Sequence, residues 1–317
     1  MKYSPAVLFI YNRLDNTRKT MESLAANTLA GETDVFVFSD GGKDVKSWSE
    51  VNRLRQYLHN FESPFKSFTI IERPENFYIE RNITEGIAEI FKKYDRIIVL
   101  EDDMVSSPYL LEYFNEALDM YADDETVMHV AGFSHLDLLG QNQEGKARNE
   151  SYFTPYMGGW GWATWRNKWQ KHFIHFESRE EALSGLDEEA QSAIQYGGAF
   201  PCLKFLDRNP IPWDICWTLA ISKAKGLCLS PAYTMVRNIG VRNGTHFKNY
   251  AILQSFVFDR APLQRRLHLE KATPEQNPMV EAKLKEALTD WGIRYTILGR
   301  IVRFFYKSFF SKIASTK

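Results

Sequence analysis

Three consecutive acidic residues are the first sign of chemistry in this sequence. Glu101, Asp102 and Asp103 follow directly on the apolar run Arg96–Leu100. Carboxylates this close repel one another unless a cation neutralises them, and hard divalent ions prefer oxygen ligands. In a parallel α/β sheet, ligands bind outside the carboxyl ends of the strands, which is where this triplet would lie. The pattern therefore predicts a Mg²⁺ or Mn²⁺ site that bridges the protein to phosphates.

A solvated acidic turn is the alternative explanation, with the triplet capping a helix that begins after Ser106–Pro108. A second triplet, Asp123–Glu125, serves as a comparison because it follows a predicted helix and does not end an apolar strand. We therefore expect Asp123–Glu125 to form a solvated turn. For Glu101–Asp103 we favour the metal site, by position as much as by composition.

Two other apolar runs also end in polar residues. The first run leads into Tyr11-Asn12-Arg13 and the second into Ser39-Asp40-Gly41-Gly42. A ligand lying across this edge would meet Arg13 at a phosphate, Asp40 at a base or ribose, and Asp103 through the metal. Asp-Gly-Gly by itself usually marks only a turn. Neither GxGxxG nor GxxxxGK[ST] occurs, so a dinucleotide fingerprint and a P-loop are unsupported.

Asp214 is the candidate general base of the later half. It lies among apolar residues in the segment Pro212–Trp217. Apolar surroundings raise the pKa of a carboxylate and make it a better proton acceptor. The alternative is that Asp214 caps a helix that starts at residue 215, because aspartate is a favoured N-cap. The two roles are compatible.

Two further segments combine residues suited to a ligand. Glycines in the segment Gly158–Trp162 allow close approach of the backbone, and its tryptophans provide flat aromatic faces. Gly159 and Trp160 are therefore candidate sugar contacts. The alternative is a packed aromatic core beside a bend. In the predicted loop 237–247, His246 would reach the metal or a diphosphate if the loop closes. Arg237 and Arg242 would pair with phosphates there, although a lone histidine is more often structural or exposed.

Predicted strands and helices alternate along the first 130 residues, and these elements must position the residues named above. This alternation predicts βαβ units with a mostly parallel sheet, and the continuous apolar runs predict strands covered by helices on both faces. The predicted strands are Ala6–Tyr11, Asp34–Ser39, Ser67–Glu72, Arg96–Leu100 and Thr126–Ala131, and the predicted helices are 15–27, 47–60, 82–94 and 107–122. Beyond residue 133 we predict a polar loop at 137–152, helices near 179–196, 200–208 and 214–225, and a strand at Leu227–Leu229.

After Asp290, every charged residue of the sequence is basic. On a helical wheel, Arg300, Arg303 and Lys307 share one side, and Ile297, Ile301, Phe305, Phe309 and Ile313 share another. This pattern predicts a basic amphipathic helix within 294–317. Such a helix either lies on an anionic membrane surface or docks on the core.

Composition narrows the class of protein. The chain has 317 residues with 44% apolar and 25% charged residues, which is typical of a globular protein. Its net charge of −1 gives no global attraction to nucleic acid. The three cysteines lack CxxC spacing, which disfavours a zinc site or a disulfide framework and favours a reducing compartment. Because no stretch reaches 18 apolar residues, we expect a cytoplasmic protein.

The order of the motifs carries a family resemblance. YNR, FSDGG and LEDD, followed by YMGGWGWATW, NPIPWDICW and VRNIGVRNGTHF, span roughly residues 5–250. They resemble nucleotide-sugar-dependent glycosyltransferases of the GT-A fold, and in particular the inverting N-acetylglucosaminyltransferase I family and its bacterial relatives. The resemblance implies a Rossmann-like, mostly parallel sheet flanked by helices, and a divalent metal, usually Mn²⁺, held mainly by Asp103. It also implies Asp214 as base, although the family carries two adjacent acids where this chain has Asp214-Ile215.

Together these arguments predict metal-dependent, inverting transfer of a sugar from a nucleoside-diphosphate sugar to an acceptor hydroxyl. The acceptor would be a glycan or lipid-linked glycan, in bacterial surface polysaccharide or glycoconjugate synthesis. We expect residues 1–133 to bind the nucleotide sugar, 134–260 to form the acceptor-binding and catalytic half of the same domain, and 261–317 to form a helical extension. The residues expected to line the donor site are Arg13, Asp40, Glu101, Asp102, Gly159, Trp160 and His246.

Two other functions would explain part of the same sequence pattern. A sugar-nucleotide pyrophosphorylase also uses an α/β sheet and a metal, but it usually needs a Gly-rich, basic loop that residues 11–20 lack. A non-catalytic carbohydrate-binding pseudoenzyme would suit the Gly-Trp segment. It would not need Glu101–Asp103 at a strand end.

Overall fold

The structure is a computed structural model that describes residues 3–137, 150–240, 261–286 and 288–289. Within those residues, eight strands form one sheet and two short strands form an antiparallel ribbon. The strands are β1 (Ala6–Ile10), β2 (Asp34–Ser39), β3 (Ser67–Glu72), β4 (Arg96–Glu101), β5 (Met104–Ser106), β6 (Val127–Ala131), β7 (Ser151–Thr154), β8 (Trp162–Trp165), β9 (Leu227–Pro231) and β10 (Val236–Asn238). The helices are α1 (Leu14–Ala25), α2 (Val45–His59), α3 (Tyr78–Ile90), α4 (Leu110–Met120), α5 (Arg166–His172), α6 (Arg179–Leu183), α7 (Glu188–Ala193) and α8 (Trp213–Lys223).

The sheet is mostly parallel, with the strand order β3-β2-β1-β4-β8-β6-β9-β7. Strands β3, β2, β1 and β4 run parallel, and β6 runs parallel to β9. Strand β8 lies antiparallel between β4 and β6, and β7 lies antiparallel to β9 at the edge. Strands from both halves of the chain therefore share one sheet. This arrangement confirms the predicted α/β, GT-A type of fold.

The continuous apolar strands follow from burial on both faces. Successive side chains of a strand point to opposite faces. Accordingly Leu8 and Ile10 belong to one buried hydrophobic cluster, while Val7 and Phe9 belong to another. The first cluster includes residues of α1, α2 and α4, and the second includes residues of α3 and α8. Helices therefore cover both faces of the sheet and fix the positions of its strand ends.

The second half differs from its prediction in several places. The predicted helix 179–196 is two short helices, α6 and α7, separated at Gly185, which has a φ of +78°. Strands β7 and β8 were not predicted, because their segments are short and rich in aromatic residues and glycine. The predicted loop 237–247 begins inside β10, which pairs with β5.

The C-terminal part is described only up to residue 289. Residues 261–276 contain no helix, and residues 278–286 are helical. The predicted amphipathic helix at 294–317 lies outside the described residues. Within the part of the chain that the structure describes, no helix has both the length and the apolar character needed to cross a membrane.

The comparison triplet Asp123–Glu125 forms the turn between α4 and β6, as predicted. The turn is anchored by a side chain that the sequence did not indicate. Lys168 on α5 is buried, and its Nζ donates hydrogen bonds to the backbone carbonyls of Tyr121, Asp124 and Val127 at 3.1, 2.8 and 2.6 Å. Three carbonyl oxygens satisfy the donors of this ammonium, so its burial is tolerated.

Candidate active site

The candidate site lies where β1, β2 and β4 end at one edge of the sheet. The parallel register places Ile10 beside Ser39 and Phe9 beside Glu101. The residues that follow these strands are therefore neighbours, since parallel strands present their carboxyl ends on the same side. The predicted grouping of Arg13, Asp40 and the acidic triplet at one sheet edge is what the structure shows.

Arg13 joins the first strand end to the acidic triplet. Its Nη1 lies 2.9 Å from Oδ2 of Asp103, its Nε lies 3.2 Å from Oδ2 of Asp102, and its Nη2 contacts the other oxygen of Asp102. Asp102 and Asp103 are buried, whereas the Arg13 side chain is 29% exposed to solvent. In this structure the guanidinium thus faces the carboxylates, with part of it open to solvent. Its predicted contact with a phosphate stays a prediction.

The triplet carries more negative charge than Arg13 neutralises. Burial is the largest influence on all three carboxyl groups and raises the pKa of Glu101, Asp102 and Asp103. Repulsion from Asp102 and Asp103 raises the pKa of Glu101 further, and the guanidinium of Arg13 opposes these effects. Three carboxylates beside one guanidinium form a site that favours an additional cation.

One oxygen of Asp103 is suited to a metal. Its Oδ1 is buried and has no hydrogen-bond partner, while its Oδ2 is bound by Arg13. A buried carboxylate oxygen without a donor is costly, and a hard divalent cation is a natural partner for it. The described residues contain no cluster of three or more His, Cys, Asp or Glu side chains that could hold a metal. A cation at Asp103 would therefore take most of its ligands from water and phosphates, as Mg²⁺ commonly does.

The β5–β10 ribbon closes over Asp103 from the other side. The backbone N–H of Ile239 donates to the backbone carbonyl of Asp103 at 2.8 Å. Gly240 follows so closely that a Cβ at this position would clash with Oδ2 of Asp103, so any other residue here would displace that carboxylate. The glycine is visible in the sequence, where the segment predicts only a loop. Arg237 lies in β10 and is half-buried.

Arg242 and His246 lie outside the described residues. Their predicted contacts with phosphates or the metal stay predictions.

Asp40 shapes the rim of the site through internal hydrogen bonds. It is 5% exposed, and it accepts hydrogen bonds from the N–H groups of Gly41 and Phe77 at 2.9 and 2.7 Å and from Nδ2 of Asn76 at 3.1 Å. Burial raises the pKa of Asp40, and the two backbone donors oppose that rise. The carboxylate thus ties the end of β2 to the turn before α3. Its predicted contact with the base or ribose stays a prediction.

The residues of the segment Gly158–Trp162 differ in their surroundings. Trp162 is buried in β8, and its ring stacks on those of His129, Trp169 and Trp213 at centroid distances of 5.3, 5.7 and 5.4 Å. For Trp162, the alternative of a packed aromatic core is therefore correct.

Gly161 packs against the strand that leads into the acidic triplet. A Cβ on Gly161 would lie 3.2 Å from Cδ2 of Leu100, the residue immediately before Glu101. Gly159 and Trp160 are half-buried, and the Trp160 ring packs edge-on against Phe133 at 4.6 Å. The predicted contacts of Gly159 and Trp160 with a sugar stay predictions.

Asp214 lies in the first turn of α8 but does not cap it. The helix begins at Trp213, not at residue 215, and Oδ1 of Asp214 accepts from the adjacent N–H of Ile215 at 2.9 Å. The first amide of the helix is bound instead by Glu80, whose Oε2 accepts from the N–H of Trp213 at 2.6 Å. The N-cap explanation for Asp214 is therefore wrong. Glu80 is a residue that sequence reasoning missed.

The negative charge of Asp214 reaches the acidic triplet. It raises the pKa of Glu101 and of Glu80, and it contributes to the raised pKa of Tyr156. Asp214 itself is half-buried. The fold thus brings the candidate base from the second half of the chain to the same sheet edge as the candidate metal ligand.

Comparisons with known proteins find a family model and a relative that each match part of this chain. A family model described as the GNT-I family matches residues 1–174. An alpha-1,3-mannosyl-glycoprotein 2-beta-N-acetylglucosaminyltransferase from Arabidopsis thaliana is 26% identical over 181 residues, which is 54% of this chain and 39% of that protein. The chain therefore spans well under two thirds of the length of this relative.

Similar solved structures include two that differ widely in sequence. The mannosyltransferase PcManGT from Pyrobaculum calidifontis, in complex with GDP-Man and Mn²⁺, has a TM-score of 0.38 and 12% identity over 96% of this chain and 76% of its own. TarS from S. aureus has a TM-score of 0.42 and 9% identity over 81% of this chain and 40% of its own. Similarities of this size say nothing about the reaction.

Proposed function

This chain belongs to the GNT-I family, and on that premise we propose that it is a metal-dependent glycosyltransferase acting on a nucleoside-diphosphate sugar. The match over residues 1–174 confirms the family that the sequence resembled. The relative named as an N-acetylglucosaminyltransferase supports the glycosyltransferase class. One observation carries the proposal. At the edge where β1, β2 and β4 end, Asp103 has a buried carboxylate oxygen without a hydrogen-bond donor. The charge of Asp214, which adds to the raised pKa of Glu101, supports its role as base.

The proposed reaction is an in-line displacement at the anomeric carbon of the donor sugar. A divalent metal bound at Asp103, Mn²⁺ or Mg²⁺, would supply positive charge to the departing diphosphate. Arg13 lies against the same carboxylate and would add its guanidinium charge at that end. Asp214 would take the proton from the acceptor hydroxyl, so no covalent intermediate is needed and the product anomer is inverted.

A donor panel tests this function directly. UDP-, GDP- and dTDP-sugars would each be added with Mn²⁺ or with excess chelator, and melting temperature and sugar-nucleotide hydrolysis would be measured. We expect at least one donor to raise the melting temperature and to be hydrolysed slowly, both only with metal. Formation of a sugar nucleotide from a nucleoside triphosphate and a sugar phosphate would instead indicate a pyrophosphorylase. Glycan binding without any metal-dependent nucleotide binding would indicate a carbohydrate-binding pseudoenzyme.

Arg13 and Asp40 supply a sharper test of where the nucleotide lies. We expect Arg13→Ala and Asp40→Asn each to weaken binding of the responding nucleoside diphosphate about tenfold, the scale of a hydrogen bond to a charged group. Binding should still require metal, because Asp103 is intact. Calorimetric titration would give the affinities.

Arg18→Ala serves as the matched control, since Arg18 is exposed on α1 and its guanidinium lies over the Tyr57 ring. Unchanged affinity in both Arg13→Ala and Asp40→Asn would place the nucleotide elsewhere.

The acceptor would be a glycan or a lipid-linked glycan in the synthesis of bacterial surface polysaccharide or glycoconjugates. A lipid-linked acceptor fits the basic amphipathic pattern of 294–317, which would bring the enzyme to an anionic membrane from the cytoplasmic side. We expect truncation at residue 293 to reduce cosedimentation with anionic liposomes at low salt, and added salt to have the same effect on the intact chain. An intact protein that ignores these liposomes would contradict the membrane role.

A further inference from the structure

Glu80 connects the first half of the chain to the helix that carries the candidate base. It lies in the first turn of α3, is half-buried, and accepts a hydrogen bond from the N–H of Trp213 at 2.6 Å. The first amides of any helix lack partners within the helix, and its positive end favours a carboxylate. Pro212, which precedes α8, provides no side-chain cap. Glu80 therefore does for α8 what a local capping residue would normally do.

Two carboxylates thus share one helix end. Burial is the main cause that raises the pKa of Glu80, to about 7; the charge of Asp214 adds to the rise and that of Arg208 opposes it. The thiol of Cys216, also in the first turn of α8, has its pKa raised by burial and then by the charges of both Glu80 and Asp214. Glu80 and Asp214 therefore interact at close quarters, with Arg208 as the counter-charge at Glu80.

We propose that Glu80 is a positioning residue for sugar transfer, which holds the start of α8 so that Asp214 meets the acceptor hydroxyl. This inference rests on the proposed function. It deepens that function by adding a residue that acts through Asp214 and not on the substrate.

The hydrogen bond from Trp213 fixes the backbone beside the candidate base. Trp213 directly precedes Asp214, and Oδ1 of Asp214 accepts from the N–H of Ile215 at 2.9 Å. A shift of the first turn of α8 would therefore move the carboxylate of Asp214. A misplacement of about 1 Å can cost on the order of 10²-fold in rate.

Glu80→Ala tests the positioning role. It removes the acceptor that binds the N–H of Trp213, so the first turn of α8 is no longer held there. We expect kcat for transfer to fall roughly tenfold while donor affinity stays near wild type, because a misplaced catalytic group slows the chemical step and not donor binding. Glu85→Ala is the matched control, since Glu85 is exposed on the same helix and pairs with Arg81.

Glu80→Gln tests whether the acceptor oxygen is what matters. A glutamine oxygen can still accept from the N–H of Trp213, so this variant should restore kcat to near the wild-type value. A Glu80→Ala enzyme with wild-type kcat, or a Glu80→Gln enzyme as slow as Glu80→Ala, would overturn the inference. If Asp214→Asn were fully active, the proposed base itself would be wrong. If Asp214→Asn were inactive while Glu80→Ala kept wild-type kcat, only the role of Glu80 would be wrong.

Discussion

Asp103→Ala is expected to abolish sugar transfer while the chain remains folded. The substitution removes the one buried carboxylate oxygen at the site that has no donor, and with it the proposed metal ligand. It also removes one of two carboxylates that Arg13 contacts, and the contact with Asp102 remains. Because charge stabilisation of the leaving group is lost, we expect transfer to fall by at least about 10³-fold. Transfer rate, melting temperature and metal-dependent donor affinity would be measured on the same preparation.

Asp123→Ala is the matched control for this result. Asp123 is exposed in the other acidic triplet, in the turn before β6, and should be replaceable without loss of transfer. Asp103→Asn keeps the volume of the side chain and should be as inactive as Asp103→Ala. Full turnover by either Asp103 variant, or by wild type in excess chelator, would contradict the metal-dependent mechanism.

Asp214→Asn should bind donor and metal normally but transfer sugar roughly 10²–10⁴-fold more slowly, the usual scale for a lost general base. Asparagine keeps the shape of the side chain, and its oxygen still accepts from the N–H of Ile215, so the first turn of α8 should persist. Only basicity is removed. Donor affinity measured beside the transfer rate separates a role toward the acceptor hydroxyl from a role in nucleotide binding.

Asp124→Asn provides the comparison for Asp214→Asn. Asp124 lies in the turn before β6 and accepts from the N–H of Thr126 at 2.8 Å, so its replacement reports what loss of a purely structural carboxylate does. A near-normal transfer rate for Asp214→Asn would remove that residue from the mechanism. The next carboxylates to replace would be Glu177, Asp187 and Asp207, all of which are exposed, with Asp207 paired to Arg179.

The sequence by itself determined the first half of the fold and the position of its acidic triplet. Alternating apolar runs and helical periods define βαβ units, and such units bring the carboxyl ends of their strands to one edge. For that reason the sequence predicts that Arg13, Asp40 and Asp103 lie at one edge of the sheet, and the parallel register of β1, β2 and β4 places their strand ends there. The same reasoning separated Glu101–Asp103, at a strand end, from Asp123–Glu125, in a turn.

Only the tertiary structure decided which partners these residues take. The N–H of Trp213 is bound by Glu80, a residue 133 positions earlier in the chain, and no local pattern records such a pair. The same holds for Gly240 against Asp103, and for the division of the Gly-Trp segment into a buried Trp162 and a half-buried Trp160. Periodicity reports which face of an element is apolar. Which distant group meets that face depends on how β8, β10 and α8 pack against the first four strands.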